Sequence, residues 1–311
     1  MQADRTVACR NRPPISRRNW LQWAAAAAGV AAATRPAHSA QRVQRAARKG
    51  RIKQSVVEWC FSDYWDINQM ARIAKALGCQ SIELVAPQHW PTLKKHGLTC
   101  AIASIDLSPD PPFVKGFNNP KHWDRVLRAT RDAIDAAAAF GVKNVICFTG
   151  MRENIPDDVG AKNCVRGLKK IIGYAEKKGV CLCLEMLNTR DDTHPPMNGH
   201  PGYQGNHTEY CIEIIKQVGS PNMKLLFDVY HVQIMDGDLI RRIHQFQDYI
   251  GHVHVAGNPG RNELNDRQEI NFPAVMRALL DVGYDGFVGQ EFIPTGDPLE
   301  SLKQAVAVCD V

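Results

Sequence analysis

The chain has 311 residues and a formal net charge of +6, and that charge is unevenly distributed. Residues 1–40 carry +5 and residues 41–51 another +5, so residues 52–311 carry about −4. The basic excess therefore gives no argument for a nucleic-acid-binding surface on the main part of the chain, and we expect no nucleic-acid partner. The residues after position 51 are numerous enough for one large α/β domain.

Residues 1–40 have the order of parts of an export signal. Arg17 and Arg18 precede a weakly apolar run, AAAAAGVAAA, which the small-residue stretch PAHSA follows. This pattern resembles a twin-arginine signal and predicts a periplasmic or otherwise exported protein. The apolar run is much shorter than the ~20 residues of a membrane span, so we expect no stable membrane anchor. We assign residues 41–51 to a basic linker and residues 52–311 to the folded domain.

From residue 52 onward, short apolar runs alternate with longer amphipathic ones. The predicted strands are residues 52–59, 81–85, 98–104, 143–148, 180–186, 223–229, 249–256 and 286–292. The predicted helices lie near residues 66–77, 87–96, 120–140, 160–178, 207–218, 238–247, 271–282 and 297–309. Eight strands, each followed by a helix, predict an α/β fold of the TIM (β/α)8 barrel type. A doubly wound open sheet is the alternative, but no glycine-rich phosphate loop follows any of the runs.

The chain contains ten cysteines, a number that raises the question of disulfides or a zinc site. Cys9 lies in the predicted signal, and the other nine are scattered through apolar segments of a large domain. Cys181 and Cys183 have strand spacing, and without a second cysteine cluster they are a weak zinc signal. We therefore expect reduced thiols in the core.

The polar residues at the ends of the last four strands indicate a metal site. Glu185 ends the fifth predicted strand, Asp228 the sixth and Glu291 the eighth, while His254 lies near the end of the seventh. The active site of a TIM barrel lies at this edge, and an unpaired buried charge costs roughly several kcal/mol unless the groups share a cation. Oxygen-rich ligation with one imidazole favours Mn²⁺ or Mg²⁺. The alternative is that a salt bridge or backbone amide satisfies each group separately.

Four segments carry a resemblance to a known family: LCLEMLNTRDD, LLFDVYHVQIMDGDL, IGHVHVAGNPGR and GYDGFVGQEFIP. They are similar to the corresponding segments of the hydroxypyruvate isomerase family, which belongs to the xylose-isomerase-like TIM barrels together with the ketose 3-epimerases. The likeness covers nearly all of residues 52–309. It implies a divalent metal ion on Glu185, Asp228, His254 and Glu291, with Glu185 and Glu291 also acting as the catalytic acid/base pair.

The resemblance also implies an activity, the isomerisation of a small hydroxy-keto acid or sugar. In the conversion of hydroxypyruvate to tartronate semialdehyde, a proton moves between adjacent carbons through an enediolate. A metal ion would stabilise the negative charge, while one glutamate removes the proton and the other returns it. Two alternatives stay open: a ketose 3-epimerase with the same metal site, and an exported sugar-binding barrel without turnover. A DNA-repair endonuclease is disfavoured by the acidic barrel and the lack of extra histidine ligands.

Three further residues are candidates for substrate binding. The resemblance implies that His231 contacts a substrate oxygen; the alternative is a histidine at a helix start that bonds to backbone. Arg261 follows the seventh strand and could clamp a substrate carboxylate, or could be a solvated loop arginine. Glu83 ends the second strand as Glu58 ends the first, and either lines the pocket or pairs with a neighbour.

Two histidines of the seventh strand, His252 and His254, face the same side of it. Position along the strand and the resemblance select His254 as the ligand, and His252 is expected about 6 to 7 Å deeper, as a core residue or support. The long loop 190–207 is predicted to act as a lid over the site. Its histidines, His194, His200 and His207, are expected to be solvent-exposed or to face the substrate. The sequence leaves homo-oligomerisation undecided.

Overall fold

The structure, a computed structural model, describes residues 43–194 and 197–311. The predicted export signal, residues 1–40, lies outside the described residues. Eight strands form one sheet, and their bounds are β1 Lys53–Val57, β2 Ser81–Glu83, β3 Ile102–Ala103, β4 Asn144–Phe148, β5 Cys181–Glu185, β6 Met223–Asp228, β7 Ile250–Val255 and β8 Phe287–Gln290. All eight predicted strands are therefore present, although β3 is much shorter than the predicted 98–104.

The strands curl into a nearly closed barrel. Neighbouring strands are parallel and follow the order β2-β1-β8-β7-β6-β5-β4-β3. The gap between β2 and β3 is bridged by hydrogen bonds from Ile82 N to Thr99 O and from Leu84 N to Ile102 O, both 3.1 Å. The predicted TIM barrel is confirmed, and the open doubly wound sheet is wrong.

Helices surround the barrel in the order expected for a (β/α)8 fold. Their bounds are α1 Ile67–Leu77, α2 Trp90–Lys95, α3 Trp123–Phe140, α4 Asp157–Lys169, α5 Ile172–Lys178, α6 Thr208–Val218, α7 Val229–Met235, α8 Leu239–Phe246, α9 Phe272–Asp281 and α10 Pro298–Cys309. The predicted helix 160–178 is divided into α4 and α5. Within the described ranges, no helix is both long and apolar enough to cross a membrane.

Helix α7 was not predicted. It begins where the side chain of Asp228 caps its first turn. Asp228 ends β6 and its Oδ1 accepts hydrogen bonds from the backbone N–H groups of Tyr230, at 2.7 Å, and His231, at 3.2 Å. A carboxylate at this position satisfies the first free N–H groups of a helix. The chain therefore passes directly from strand to helix at a residue of the candidate site.

The core is built from apolar side chains of the strands and of the inner faces of the helices. The nine cysteines in the described ranges are unpaired; eight are buried, and Cys181 is partly exposed. They pack as small hydrophobic residues, as the sequence predicted.

Residues 43–50, part of the predicted linker 41–51, pack against the barrel at the ends of α1 and α10. The backbone N–H groups of Ala46 and Ala47 donate to Leu77 O at 2.9 and 3.0 Å. The Asp310 carboxylate accepts from the next three backbone N–H groups, those of residues 48–50, at 2.5, 2.6 and 2.8 Å. Helix C-termini lie opposite the C-terminal ends of the strands, so this segment covers the face away from the candidate site.

Replacement of Asp310 tests this anchor. Asp310→Ala leaves three backbone donors without their acceptor, and we expect the free energy of unfolding to fall by about 1–2 kcal/mol. Urea denaturation followed by circular dichroism measures the change. Asp281→Ala, an exposed aspartate at the end of α9, is the matched control and should leave the stability nearly unchanged. Equal stability of the two variants would contradict the anchoring role.

Candidate active site

Four side chains of the last four strands meet at the C-terminal end of the barrel. Glu185 ends β5, Asp228 ends β6, His254 lies one residue before the end of β7, and Glu291 directly follows β8. One ligand atom from each lies within 4.8 Å of the others, and none of the four residues is more than 4% exposed. The structure therefore brings together all four predicted metal ligands.

The hydrogen bonding of this cluster leaves the inward-facing atoms free. Glu185 Oε1, Asp228 Oδ2 and His254 Nδ1 are buried and have no hydrogen-bond partner among the described residues. Buried polar atoms are nearly always satisfied, so three unsatisfied atoms that converge on one point call for a further group. Three carboxylates and one imidazole form a donor set that suits a divalent cation such as Mn²⁺ or Mg²⁺. The residues present thus fit a metal ion.

Glu83 sets the orientation of His254. His254 Nε2 donates to Glu83 Oε1 at 2.7 Å, which turns the other ring nitrogen toward the cluster. His254 Nδ1 lies 2.9 Å from Glu291 Oε2 and 3.5 Å from Glu185 Oε1. A carboxylate behind a metal-binding histidine fixes its tautomer and ring orientation. His254 is therefore arranged to offer the Nδ1 lone pair to a cation.

His252 lies one layer deeper, as the sequence predicted. Its Nε2 donates to the same oxygen, Glu83 Oε1, at 2.8 Å, and its ring packs edge-on against that of His254 at 5.0 Å between centroids. His252 is fully buried and does not belong to the group of four that could bind the cation together with Glu185. It supports Glu83 from below.

The prediction of Glu83 at the substrate needs correction. Its side chain is fully buried beneath the rim, paired with two histidines, and it does not line the cavity. Gly289 on β8 makes this position available, because a Cβ there would lie 2.2 Å from Glu83 Oε1. Glu58, the other early-strand glutamate, begins a short 3-10 turn, is partly exposed and also does not line the cavity.

Burial and neighbouring charge shift the acidities of the cluster in different directions. Burial, together with the nearby Glu291, raises the pKa of Asp228 to about 7, and burial also raises the pKa of Glu185. Burial alone would raise the pKa of Glu291, but His254 and Arg261 hold it well below its ordinary value. The charged forms of Glu185 and Asp228 are thus poorly compensated by protein groups, and a bound cation would supply the missing charge.

Arg261 reaches the site, so the alternative of a solvated loop arginine is wrong. It is 4% exposed, donates to Glu291 Oε2 at 2.7 Å and to Met197 O at 2.9 Å, and lies over the Trp59 ring at 5.2 Å. Its Nε has no partner in the part of the chain that the structure describes, and its backbone φ is +57°. A buried non-glycine residue in this left-handed conformation is typical of functional sites.

A cavity of about 330 Å³ opens above the cluster. Glu185, Glu291, Arg261, His200 and Ser104 supply its polar groups. Its apolar walls are formed by Trp59, Leu84, Pro112, Phe113, Ile146, Phe148, Leu187 and Met197. A concave, largely apolar pocket with a few convergent polar groups is the usual form of a small-molecule site.

His231 lies beside this cavity and not in its wall. It is fully buried, its Nε2 is 3.7 Å from Asp228 Oδ2, and the ring of His200 packs on its ring at 5.5 Å. His200 comes from the predicted lid loop and itself lines the cavity. Burial, reinforced by Arg261, holds the pKa of His231 well below its ordinary value, so the ring is neutral.

Sequence reasoning missed two residues of the site. Trp59 donates from Nε1 to Glu291 Oε1 at 3.1 Å, and its position two residues after β1 is the signal that could have found it. Asn188 bonds to the His231 ring at 2.7 Å. Its place three residues after Glu185 puts it at the same rim, but its partner lies on another strand–helix unit and cannot be read from spacing.

Comparison with protein families gives this geometry a context. The family model described as "Xylose isomerase-like TIM barrel" matches residues 71–310. The chain belongs to this family. The sequence-based resemblance is therefore confirmed at the level of fold and superfamily.

Three curated relatives are isomerases by name. A Homo sapiens protein, provisionally named hydroxypyruvate isomerase, is 34% identical over 263 residues, 79% of this chain and 91% of the relative. A hydroxypyruvate isomerase of Escherichia coli (strain K12) is 31% identical over 166 residues, 52% of this chain and 60% of the relative. A 2-oxo-tetronate isomerase of Pectobacterium atrosepticum is 28% identical over 255 residues, 79% and 93% of the two chains. The predicted enzyme class, an isomerase, is confirmed.

Solved structures show the same barrel. A protein described as AP endonuclease, family 2, from Brucella melitensis has a TM-score of 0.71 and 25% identity, covering 81% of this chain and 97% of its own. An L-ribulose 3-epimerase has a TM-score of 0.66 at 18% identity, covering 82% and 92%. The IOLI protein with a bound zinc atom has a TM-score of 0.63 at 18% identity, covering 83% and 95%. The latter two likenesses concern the fold alone.

Glu83→Gln tests the support of His254. Glutamine keeps the size of the side chain and an oxygen that can accept, but it lacks the negative charge, so the hydrogen bond from His254 to this oxygen becomes weaker. We expect the affinity of the metal-depleted protein for Mn²⁺ to fall 10- to 100-fold, the range seen when such outer partners are removed. Isothermal titration calorimetry measures the affinity.

Glu58→Gln is the matched control for this experiment, because Glu58 also follows an early strand but contacts none of the four candidate ligands. Its Mn²⁺ affinity should equal that of the wild-type protein. A Glu83→Gln variant that folds normally and binds Mn²⁺ as tightly as the control would contradict the orienting role of Glu83.

Proposed function

We propose that the protein is a metal-dependent isomerase that moves a proton between adjacent carbons of a small hydroxy-keto acid or sugar through an enediolate. Hydroxypyruvate, converted to tartronate semialdehyde, is the leading substrate. The observation that carries the proposal is the convergence of three unsatisfied ligand atoms, Glu185 Oε1, Asp228 Oδ2 and His254 Nδ1. They lie at the cavity, which the glutamates Glu185 and Glu291 both line.

The side chains have separable roles in this reaction. Glu185, Asp228, His254 and Glu291 would hold a divalent cation, Mn²⁺ or Mg²⁺, which supplies electrostatic stabilisation of the negative charge that develops on the substrate oxygens. Glu185 and Glu291 face the cavity from β5 and β8, so one can remove a proton from carbon and the other can return it. The largely apolar walls of the cavity limit the access of water to the enediolate.

Arg261 is the group we assign to a substrate carboxylate. It lines the cavity, carries a permanent charge and keeps its Nε free of partners in the described ranges. Its bond to Glu291 also holds that carboxylate in place, at 2.7 Å. An anionic substrate would thus be bound next to one member of the acid/base pair. The curated relatives named hydroxypyruvate and 2-oxo-tetronate isomerase support a substrate of this kind.

A ketose 3-epimerase is the second candidate, and the size of the cavity favours it. The cavity has a volume of about 330 Å³, whereas hydroxypyruvate is a three-carbon acid with few atoms to fill it. A longer ketose would fill more of the cavity and could use the same two glutamates. The two reactions differ in the carbon from which the proton is taken.

Solvent labelling separates these possibilities. The purified protein is incubated in deuterium oxide with Mn²⁺ and either hydroxypyruvate or a ketose, and label is followed by NMR. We expect deuterium in the three-carbon acid; label at C3 of a ketose would instead establish the epimerase. Absence of turnover with every metal and substrate, together with retained sugar binding, would favour a binding protein.

Glutamine variants test the acid/base pair. Glu185→Gln and Glu291→Gln should each lower kcat by at least about 100-fold, because general acid/base groups contribute 10²- to 10⁴-fold. Metal content is measured alongside, since the glutamine oxygen can still bind a cation. Glu300→Gln, at an exposed position on α10, is the control and should retain full activity. Full activity in either active-site variant that retains metal would exclude that residue as acid or base.

A further inference from the structure

Asn188 contacts one nitrogen of the His231 ring twice. His231 Nδ1 receives two donors from this one residue: the backbone N–H at 3.2 Å and the side-chain Nδ2 at 2.7 Å. A backbone N–H can only donate, so Nδ1 has to act as the acceptor. An acceptor nitrogen carries no proton, and the neutral ring therefore has its N–H at Nε2.

The side-chain amide of Asn188 is also fixed in one orientation. Its Oδ1 accepts from the backbone N–H of Asp191 at 3.0 Å, and its Nδ2 donates to Asn198 O at 2.8 Å as well as to His231. Exchange of the amide oxygen and nitrogen would place donor against donor and acceptor against acceptor. The amide thus connects the predicted lid loop to the ring of His231.

The other nitrogen of the His231 ring, Nε2, has no partner among the described residues. Nε2 is buried and makes no hydrogen bond among them. It lies 3.7 Å from Asp228 Oδ2, which is itself without a partner and faces the candidate metal ligands. Because the proton is on Nε2, this nitrogen offers a hydrogen bond toward the place where cation and substrate oxygens would meet. A buried unsatisfied donor is costly unless a ligand uses it.

We propose that Asn188 is a positioning residue: it holds His231 as the neutral Nε2–H tautomer, so that this N–H donates to an oxygen of the substrate that becomes negatively charged during the reaction. The inference rests on the proposed function and adds to it a residue that acts only through His231. Since Asn188 also binds the backbone of Asn198, the arrangement of the lid loop and the direction of the His231 donor are set by the same amide.

The ring tautomer can be measured without turnover. In protein labelled with ¹⁵N-histidine, the long-range ¹H–¹⁵N couplings distinguish the Nε2–H tautomer, the Nδ1–H tautomer and the imidazolium; the His231 signals are identified by their loss in His231→Asn. We expect the Nε2–H tautomer in the wild-type protein. Asn188→Asp replaces the side-chain donor, at 2.7 Å, by a charged acceptor and should move the proton to Nδ1, because the backbone donor that remains is the longer contact, at 3.2 Å. Asn198 lies in the predicted lid loop and contacts Asn188 only through its backbone oxygen. Asn198→Asp is therefore the control and should leave the tautomer unchanged.

Kinetics then test whether Asn188 acts through His231. Asn188→Asp should lower kcat about 100-fold with little change in KM, because the lost donor serves the transition state. His231→Asn keeps an acceptor near the Nδ1 position but lacks the Nε2 donor, so it should lose kcat to a similar extent. In the His231→Asn background, Asn188→Asp should cause no further loss.

The possible results separate this inference from the proposed function. An Nδ1–H or imidazolium signal in the wild-type protein overturns the inference whether or not the enzyme turns over. A fall in kcat that is equally large in the presence and absence of His231 overturns it too, because Asn188 would then act by another route. The expected tautomer shift together with an absent second loss supports it. Lack of turnover with all substrates would contradict the proposed function. The tautomer measurement would then still test whether Asn188 fixes the ring proton of His231.

Discussion

The burial of three carboxylates and an imidazole at one end of the barrel is the constraint on which the rest of the site depends. Glu185, Asp228 and Glu291 are almost fully shielded from water, and Arg261, bonded to Glu291 at 2.7 Å, brings a permanent positive charge to them. Desolvation of charge is among the largest penalties in a protein interior. The barrel makes this arrangement possible because the parallel strands deliver the groups to one point, while outer partners hold His254, Asp228 and Glu291.

The outer partners act on opposite nitrogens of two neighbouring histidines. Glu83 accepts from His254 Nε2 and leaves Nδ1 with a free lone pair, whereas Asn188 donates to His231 Nδ1 and leaves Nε2 with a proton. In the proposed reaction, one imidazole would thereby serve as a metal ligand and the other as a hydrogen-bond donor. Asp228 links them, since its Oδ1 caps α7, which carries His231, and its Oδ2 faces the cluster. Neither of the two outer partners, Glu83 and Asn188, lines the cavity.

The sequence predicted those parts of the molecule that depend on local patterns. Hydrophobic periodicity located all eight strands, and strand ends located Glu185, Asp228, His254 and Glu291, because the C-terminal edge of a parallel barrel is fixed by topology. Glu83 was misplaced because a strand end gives the height of a side chain but not the partners that hold it below the rim. Helix α7 was missed because the same Asp228 serves as strand end and helix cap. Asn188 could not be found, since its role depends on a contact between two different strand–helix units.

The glycine at position 289 has a consequence for how this site can vary. A side chain there would occupy the space of the Glu83 carboxylate, and the ring of His254 would also be in the way, with its Cδ2 only 2.9 Å from the added carbon. A glutamate at position 83 can therefore adopt this orientation only if residue 289 has no side chain. In a relative with a larger residue on β8, we would look for a shorter or neutral side chain on β2 and for a different way of fixing the seventh-strand ligand. Positions 83, 254 and 289 therefore constrain one another sterically, although they lie on three different strands.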